Sequence, residues 1–165
     1  MIIKIKEAGR DKKPILERLL QLYFYDFSEI EGGDVDDQGL FHYTYLDIYW
    51  EETGRYPYLV YVDGRPAGFV LVRCHSYFDS PEKTHVMAEF FVMRKYRRRG
   101  VGSTMAFRIF DKFPGRWEIA ETPHNYEARE FWRHVIGQYT GGRFEEVILE
   151  NDRWRGPVQY FKKVE

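Results

Sequence analysis

Cysteine is nearly absent from this 165-residue chain, in which Cys74 is the single example. One thiol cannot form an internal disulfide, so packing and hydrogen bonds must hold the fold together, and Cys74 is expected in the core. Long apolar runs are also missing. No stretch approaches the roughly 20 apolar residues of a membrane helix, and the first residues lack the apolar run of a signal peptide. These absences predict a cytoplasmic protein with no membrane partner.

An excess of one charge is missing as well, because 25 Lys and Arg residues nearly balance 26 Asp and Glu residues, for a net charge of −1. Binding nucleic acid by charge alone requires a strong positive field, so a nucleic-acid partner is not favoured and any anion site must be local. The five histidines show no metal-ligand spacing, and no metal is predicted. The length is that of one domain, predicted over residues 1–165.

Apolar residues that alternate, or that recur at helical spacing, divide the chain into strands and helices. The dipeptide Asp63-Gly64 predicts a type I′ turn between two antiparallel strands. The order of elements predicts an α/β (α+β) fold, a mixed, largely antiparallel twisted sheet of about six to seven strands flanked by helices. Predicted strands cover residues 2–5, 58–62, 67–74, 85–93, 117–121, 144–150 and 158–164, and predicted helices cover 12–27, 40–50, 105–113 and 126–136.

A basic turn joins the fourth predicted strand to the helix that follows it. Five of the six residues from Arg94 to Arg99 are basic. A helix that begins at Gly100-x-Gly102 leaves backbone N–H groups unpaired, and these groups attract an anion such as phosphate. A solvated turn that needs glycine only for its geometry is the alternative. Met105 stands where a dinucleotide motif needs a small residue, and no Gly-Lys-Ser/Thr follows, so the common nucleotide loops do not fit.

Two segments resemble the cofactor motifs of one enzyme superfamily. The run Phe91–Gly102 (FVMRKYRRRGVG) resembles the R/Q-x-x-G-x-G/A signature of the GNAT superfamily of acetyl-CoA-dependent N-acetyltransferases. The residues Asn125, Ala128 and Phe131-Trp132 resemble the second cofactor motif of these enzymes, N-x-x-A-x-x-F-Y. The order of the predicted elements is also similar, so the resemblance covers nearly the whole chain.

The resemblance implies a transfer of acetyl from acetyl-CoA to a primary amine, by direct attack in a ternary complex. It implies that the strand edge at Phe91–Met93 pairs with the pantetheine arm, and that an N–H near Phe91 or Val92 polarises the thioester carbonyl. Asn125 would reach the arm from the other side. The implied cofactor-binding residues are Phe91, Val92, Met93, Arg97, Arg98, Arg99, Gly100, Val101, Gly102, Ser103, Asn125 and Trp132, with the backbone amides of 97–103 holding the pyrophosphate.

Glu89 is the candidate general base, because the acceptor amine must lose a proton before or during its attack. It lies three residues before Val92 in an apolar strand, where burial would strengthen its hold on a proton. Family members often carry a glutamate at this place. The alternative is a strand glutamate that pairs with one of the nearby arginines.

The general acid has no obvious candidate, since Trp132 stands where the family often has a tyrosine and indole cannot donate the proton. A thiolate can leave without full protonation, because thiol pKa values lie at roughly 8.5. Tyr126 or Tyr139 could otherwise reach the sulfur. This departure keeps a non-catalytic coenzyme A-binding module open as an alternative. The arginine cluster interleaved with aromatics keeps a nucleic-acid-binding domain open as a less favoured one. Either a monomer or a homodimer is compatible with the sequence.

Aromatic residues are in surplus, with 13 Phe, 13 Tyr and 4 Trp making up 18% of the chain. Nine of them fall between Tyr23 and Trp50, a segment that also contains an acidic loop at 29–38. In the family, this region and the last hairpin loop, here Asn151–Gly156, line the acceptor site. An aromatic and acidic wall would suit a cationic amine, whereas the last loop is basic.

Overall fold

The computed structural model describes residues 1–163, and the predicted strand end at Val164 lies outside them. Seven strands form one open sheet in the order β1-β2-β3-β4-β5-β7-β6, with helices against it. The strands are β1 (Ile3–Glu7), β2 (Arg55–Val62), β3 (Arg65–Arg73), β4 (Thr84–Val92), β5 (Gly115–Ala120), β6 (Glu145–Glu150) and β7 (Arg155–Lys163), and the helices are α1 (Lys13–Glu31), α2 (Ile48–Glu51), α3 (Val101–Lys112) and α4 (Tyr126–Thr140).

The sheet is mixed, as the sequence predicts. The pairs β1 with β2, β5 with β7, and β6 with β7 are antiparallel, whereas β4 and β5 are parallel. The parallel ladder joins Thr84–Val86 of β4 to Arg116–Glu118 of β5. Asp63 and Gly64 both have positive φ, at 49° and 79°, as a type I′ turn requires.

The predicted helix over residues 40–50 is wrong, because only Ile48–Glu51 is helical. Side chains satisfy the backbone of the preceding segment instead. Gln21 both accepts from Phe41 N at 2.9 Å and donates to Phe41 O at 2.8 Å, and Asp36 accepts from Gln38 N and Leu40 N. These bonds from side chains to the backbone compete with helical hydrogen bonds. The first helix is longer than predicted and ends at Gly32, whose φ is 73°.

The chain divides into two compact units, and the first comprises Met1–Leu71 and Glu89–Val101. Its core lies between α1 and the strands, where the apolar face of the helix (Leu16, Leu19, Leu20 and Tyr23) is buried. Phe69 of β3 and Phe91 of β4 belong to the same buried cluster. The spacing of three and four residues along α1 places these side chains on one face and explains why the helix packs here.

The second unit comprises Val72–Ala88 and Gly102–Glu165. Phe110 of α3 is fully buried, and its ring lies 5.0 Å from Trp117 of β5 and 5.1 Å from Phe161 of β7. This aromatic cluster fixes α3 against the sheet. Cys74, expected in the core, is half-buried at the end of β3, because the strand ends at Arg73 and a loop begins there. Within residues 1–163, no helix has the length and apolarity to cross a membrane.

Candidate active site

Glu89 lies near the end of β4 in the first unit, half-buried, beside α1. The hydroxyl of Tyr23 donates to Glu89 Oε2 at 2.5 Å. The ring of Tyr23 is 9% exposed and packs edge-on against Phe27 at 4.7 Å and Phe69 at 5.5 Å. A distance of 2.5 Å is typical of a hydroxyl that donates to a charged carboxylate. The candidate base is therefore held by a rigid phenol.

A wall of aromatic rings continues from this point along the segment that precedes α2. Phe24 lies 6.2 Å from Phe41 and 5.6 Å from Tyr43, and Tyr43 lies 6.0 Å from Tyr45. Burial and the negative charge of Glu89 raise the pKa of Tyr43 far above its usual range. Tyr45 is 62% exposed, so the wall runs from the half-buried Glu89 to the surface.

The end of β4 passes unusually close to β3 at Gly68. A Cβ atom at Gly68 would lie 2.1 Å from the carbonyl oxygen of Phe91 and 3.3 Å from the Cα of Val92. Beyond this point, Met93 N donates to Ala67 O at 2.8 Å. Gly68 therefore permits the backbone path of Phe91–Met93, the strand edge that the family resemblance predicts to pair with the pantetheine arm.

Replacing Gly68 with alanine should lower stability by about 1–3 kcal/mol, because an added methyl group must displace backbone rather than a flexible side chain. Urea unfolding measures this change. The matched control is Gly33→Ala, since a Cβ at Gly33 meets nothing within 4 Å and its φ is not positive. Equal stabilities for the two variants would show that β4 does not depend on the close approach at Gly68.

The turn between β4 and α3 has the backbone form of an anion cradle. Arg98 and Gly100 both adopt left-handed conformations, with φ of 57° and 77°, while Arg97 is extended. Alternation of conformations in this way turns successive N–H groups toward one point, and α3 begins immediately at Val101. A Cβ at Gly100 meets nothing within 4 Å, so this glycine is needed for its φ and not for space.

Asp26 of α1 holds two of the basic residues of this turn. Its Oδ1 atom accepts from Arg94 Nε at 3.1 Å and from Arg94 Nη2 at 2.7 Å, and its Oδ2 atom accepts a short bond from Arg97. Arg97 also donates from Nε to the carbonyl of Val92 at 2.7 Å. The guanidinium of Arg97 is thus engaged in closing the turn, whereas Lys95 and Arg99 are exposed.

The second unit carries the remaining predicted cofactor residues. Gly102 and Ser103 form the first turn of α3. Asn125 caps α4, with its Oδ1 accepting from Ala128 N at 3.1 Å. Trp132 is buried, and its ring lies 5.0 Å from Phe131 and 6.5 Å from Phe110. Trp132 is therefore part of the core of its unit.

The two tyrosines considered as general acids lie in different surroundings. Tyr126 is 68% exposed at the start of α4. Tyr139 donates from its hydroxyl to Asp111 Oδ1 at 2.8 Å, and burial together with this bond raises its pKa above the usual range. Asp111 lies eight residues, about 12 Å along the axis of α3, beyond Ser103. Tyr139 therefore lies near the C-terminal end of α3, away from Ser103.

The last hairpin loop is tied to the β3–β4 loop. Asn151 donates to Tyr77 O at 3.0 Å, and Arg153 donates to Phe78 O at 2.7 Å. These loops border a cavity of about 510 Å³ that is lined by residues 73–80, Glu82 and Arg153. The bonds of Arg153 direct its guanidinium to the neighbouring loop, which leaves less free positive charge on 151–156 than the sequence suggests.

The structure also shows a buried carboxyl that the sequence analysis missed. Glu121 follows β5 and is 4% exposed, and burial raises its pKa to about 8. Gln159 lies beside it, fully buried, with Nε2 donating to Glu146 Oε1 at 2.6 Å. The Glu146 carboxylate accepts from Arg129 and Arg133, which lower its pKa to about 2. Only its burial beside Gln159 distinguishes Glu121 from an ordinary strand-end glutamate.

Among residues 1–163, no group of three or more His, Cys, Asp or Glu side chains is arranged to hold a metal ion.

Comparison with known proteins gives a family and a fold. The sequence pattern of the acetyltransferase (GNAT) family matches residues 16–137. An acetyltransferase of the GNAT family from Staphylococcus aureus Mu50 is similar at 15% identity and a TM-score of 0.67, with 98% of this chain and 99% of that chain covered. An acetyltransferase from Thermus thermophilus is similar at 16% identity and a TM-score of 0.68, with 99% and 98% covered.

A third similar structure is the aminoglycoside acetyltransferase AAC(6′)-Ib in complex with coenzyme A and kanamycin, at 13% identity and a TM-score of 0.68, with 98% of this chain and 95% of that chain covered. At such identities the structures show a shared fold. No curated protein sequence matches the chain significantly. Because the family pattern spans most of the sequence, the chain belongs to the GNAT acetyltransferase family.

Proposed function

We propose that the protein is an N-acetyltransferase that moves acetyl from acetyl-CoA to a primary amine in a ternary complex, acting as one domain over residues 1–165. The observation that carries the proposal is the turn between β4 and α3. In this turn Arg98 and Gly100 have left-handed backbone conformations, and the 12-residue helix α3 begins at the next residue. Backbone N–H groups in this arrangement suit a pyrophosphate.

The basic residues of the turn have two different roles in this proposal. Arg97 is engaged with Asp26 and with the carbonyl of Val92, so its guanidinium fixes the turn. Lys95 and Arg99 are exposed on the same segment and would supply the field that attracts the phosphates of acetyl-CoA. The roles predicted for Asn125 and Trp132 stay predictions.

The transfer itself needs a proton acceptor and a polarised carbonyl. The amine nitrogen attacks the thioester carbon, the carbon–sulfur bond breaks, and the products are an acetamide and the thiol of coenzyme A. Glu89 takes the proton that the amine loses, and an N–H at Phe91 or Val92 stabilises the negative charge that develops on the oxygen. The thiolate leaves without full protonation in this proposal and takes its proton from solvent, since thiol pKa values lie at roughly 8.5.

The acceptor is a cationic amine in this proposal, recognised in the first unit. The aromatic wall of Phe24, Phe41, Tyr43 and Tyr45 leads to Glu89. Ring faces and a carboxylate attract an ammonium group. The similar solved structure with kanamycin contains a substrate that carries amines, which supports this class of acceptor.

Coenzyme A should stabilise the protein by about 2.7 kcal/mol at 100 times its dissociation constant, which corresponds to a rise in Tm of about 5–10 °C for a chain of this size. A thermal shift titration measures this effect, with a single-stranded oligonucleotide as the comparison ligand. Stabilisation by the oligonucleotide and none by coenzyme A would favour the nucleic-acid-binding alternative and contradict the proposal.

A further inference from the structure

We propose that one face of α1 sets both parts of the site in the first unit, with Tyr23 positioning the Glu89 carboxylate and Asp26 positioning the basic turn. The inference rests on the proposed function and adds two positioning residues to it. Tyr23 and Asp26 are three residues apart, so they project from the same face of the helix, one turn from each other.

Tyr23 is suited to orient a carboxylate because its ring cannot move freely. The ring contacts Phe27, Phe69 and Phe91 at centroid distances of 4.7, 5.5 and 5.7 Å. The hydroxyl therefore has a fixed position, 2.5 Å from Glu89 Oε2. A hydrogen bond donated to the charged form of a carboxylate favours that form, so Tyr23 keeps Glu89 ready to accept a proton.

Asp26 is suited to fix the turn because both of its oxygens are used. Oδ1 accepts from two nitrogens of Arg94, and Oδ2 accepts from Arg97. Arg97 also links the turn to the strand, because its Nε donates to the carbonyl of Val92, the last residue of β4. One carboxylate on α1 thereby holds the entry of the turn to the end of the strand.

The two possible roles of Asp26 predict opposite effects on coenzyme A binding. As a plain negative charge near an anion site, Asp26 repels phosphate, and its removal would tighten binding. As a positioning residue, Asp26 preserves the shape of the turn, and its removal would weaken binding. The sign of the change therefore separates the two roles.

Asp26→Asn should raise the dissociation constant of coenzyme A at least fivefold in calorimetry and speed hydrogen exchange of the amides in 94–100. Glu29→Gln is the matched control, because it removes the same charge from an exposed position one turn further along α1, and it should leave the constant within about twofold. Unchanged or tighter binding by Asp26→Asn would overturn the role of Asp26. If that variant does not fold, Asp26→Glu is the substitute, because it keeps the charge and lengthens the side chain by one methylene. It should also raise the dissociation constant of coenzyme A.

Tyr23→Phe keeps the ring and removes only the hydroxyl, so it tests the other half of the inference. It should lower kcat/KM for the amine about fivefold to tenfold and move the acidic limb of the pH profile to higher pH, with no change in coenzyme A affinity. Tyr61→Phe is the control, because Tyr61 lies on β2 in the first unit, outside the segment from Tyr23 to Trp50. An unmoved acidic limb in Tyr23→Phe would overturn the role of Tyr23.

A double variant separates this inference from the proposed function. If Tyr23 acts through Glu89, adding Tyr23→Phe to Glu89→Gln should lower kcat/KM no further. A further loss of the same size would show that Tyr23 acts independently of Glu89 and would overturn the inference. Wild-type activity in Glu89→Gln alone would instead remove Glu89 as the base, while the coenzyme A measurements on Asp26→Asn would still decide the role of Asp26.

Discussion

Glu89→Gln should lower kcat/KM for the acceptor amine by about 10²- to 10⁴-fold, the range in which a positioned general base contributes to catalysis. The glutamine keeps the shape of the side chain and can still accept the hydroxyl of Tyr23, which donates to Glu89 at 2.5 Å. It cannot take a proton from the amine. Coenzyme A affinity should remain within about twofold of wild type, because Asp26 holds Arg94 and Arg97 of the basic turn.

The pH dependence identifies Glu89 more specifically than the size of the loss. The deficit in kcat should be largest at low pH, where the acceptor is protonated and needs a base, and should shrink as free amine becomes abundant. Steady-state rates across the pH range measure this, with Glu7→Gln in β1 as a control for the loss of a surface carboxylate from the first unit. A variant whose pH profile keeps the shape of the wild-type profile would remove Glu89 from the mechanism.

Glu121→Gln should produce the largest change in stability at alkaline pH. The Glu121 carboxyl is 4% exposed, and burial raises its pKa to about 8, whereas an unfolded chain ionises this group near 4.5. Between these values the folded protein holds a proton that the unfolded protein has released. The free energy of unfolding therefore falls by about 1.4 kcal/mol for each pH unit as pH rises through this window. It levels off above the window.

The contacts of Gln159 explain why a neutral acid suits this position. Its Nε2 donates to Glu146, so its buried Oε1 needs another donor, and no described residue supplies one to it or to the oxygens of Glu121. A proton on Glu121 gives both groups a partner, and an amide at position 121 can donate in the same way. The substitution should therefore preserve the packing while removing the titration.

Urea unfolding at pH 6 and pH 9 measures the effect. Between pH 6 and pH 9 the free energy of unfolding of wild type should fall by about 3 kcal/mol relative to that of Glu121→Gln. The titration of Glu121 covers about two of these three pH units. Glu150→Gln, which removes an exposed carboxylate from the neighbouring sheet edge, should follow the wild-type dependence. A constant difference between wild type and Glu121→Gln at both pH values would show that Glu121 is ionised in the folded protein throughout.

The sequence predicts the fold and the turn because both depend on local patterns. Alternation in β4, the Asp63-Gly64 turn and the glycines at 100 and 102 each restrict a few adjacent residues, and the structure has a strand, a hairpin turn and a helix start at these places. The failed helix at 40–50 has a different origin. The bonds of Gln21 to Phe41 join residues 20 apart, and periodicity within the segment contains no information about them.

The same reason limits how much of the site could be predicted. Glu89 is an unusual charge in an apolar strand, so it is visible in the sequence, but its partner Tyr23 lies 66 residues away. Asp26 lies 68 and 71 residues from the arginines that it holds. On the helix, Tyr23 resembles any buried aromatic and Asp26 any surface acid. Only the packing of α1 against the end of β4 gives them a role.

The most direct test of the proposed acetyl transfer is the release of free thiol from acetyl-CoA, measured against a panel of monoamines, polyamines, aminoglycosides and lysine peptides. We expect that at least one amine accelerates thiol release well above hydrolysis, that mass spectrometry finds this amine acetylated, and that Glu89→Gln loses the acceleration. Binding of coenzyme A without acceleration by any amine of the panel would contradict an enzymatic role and leave a coenzyme A-binding module of the same fold.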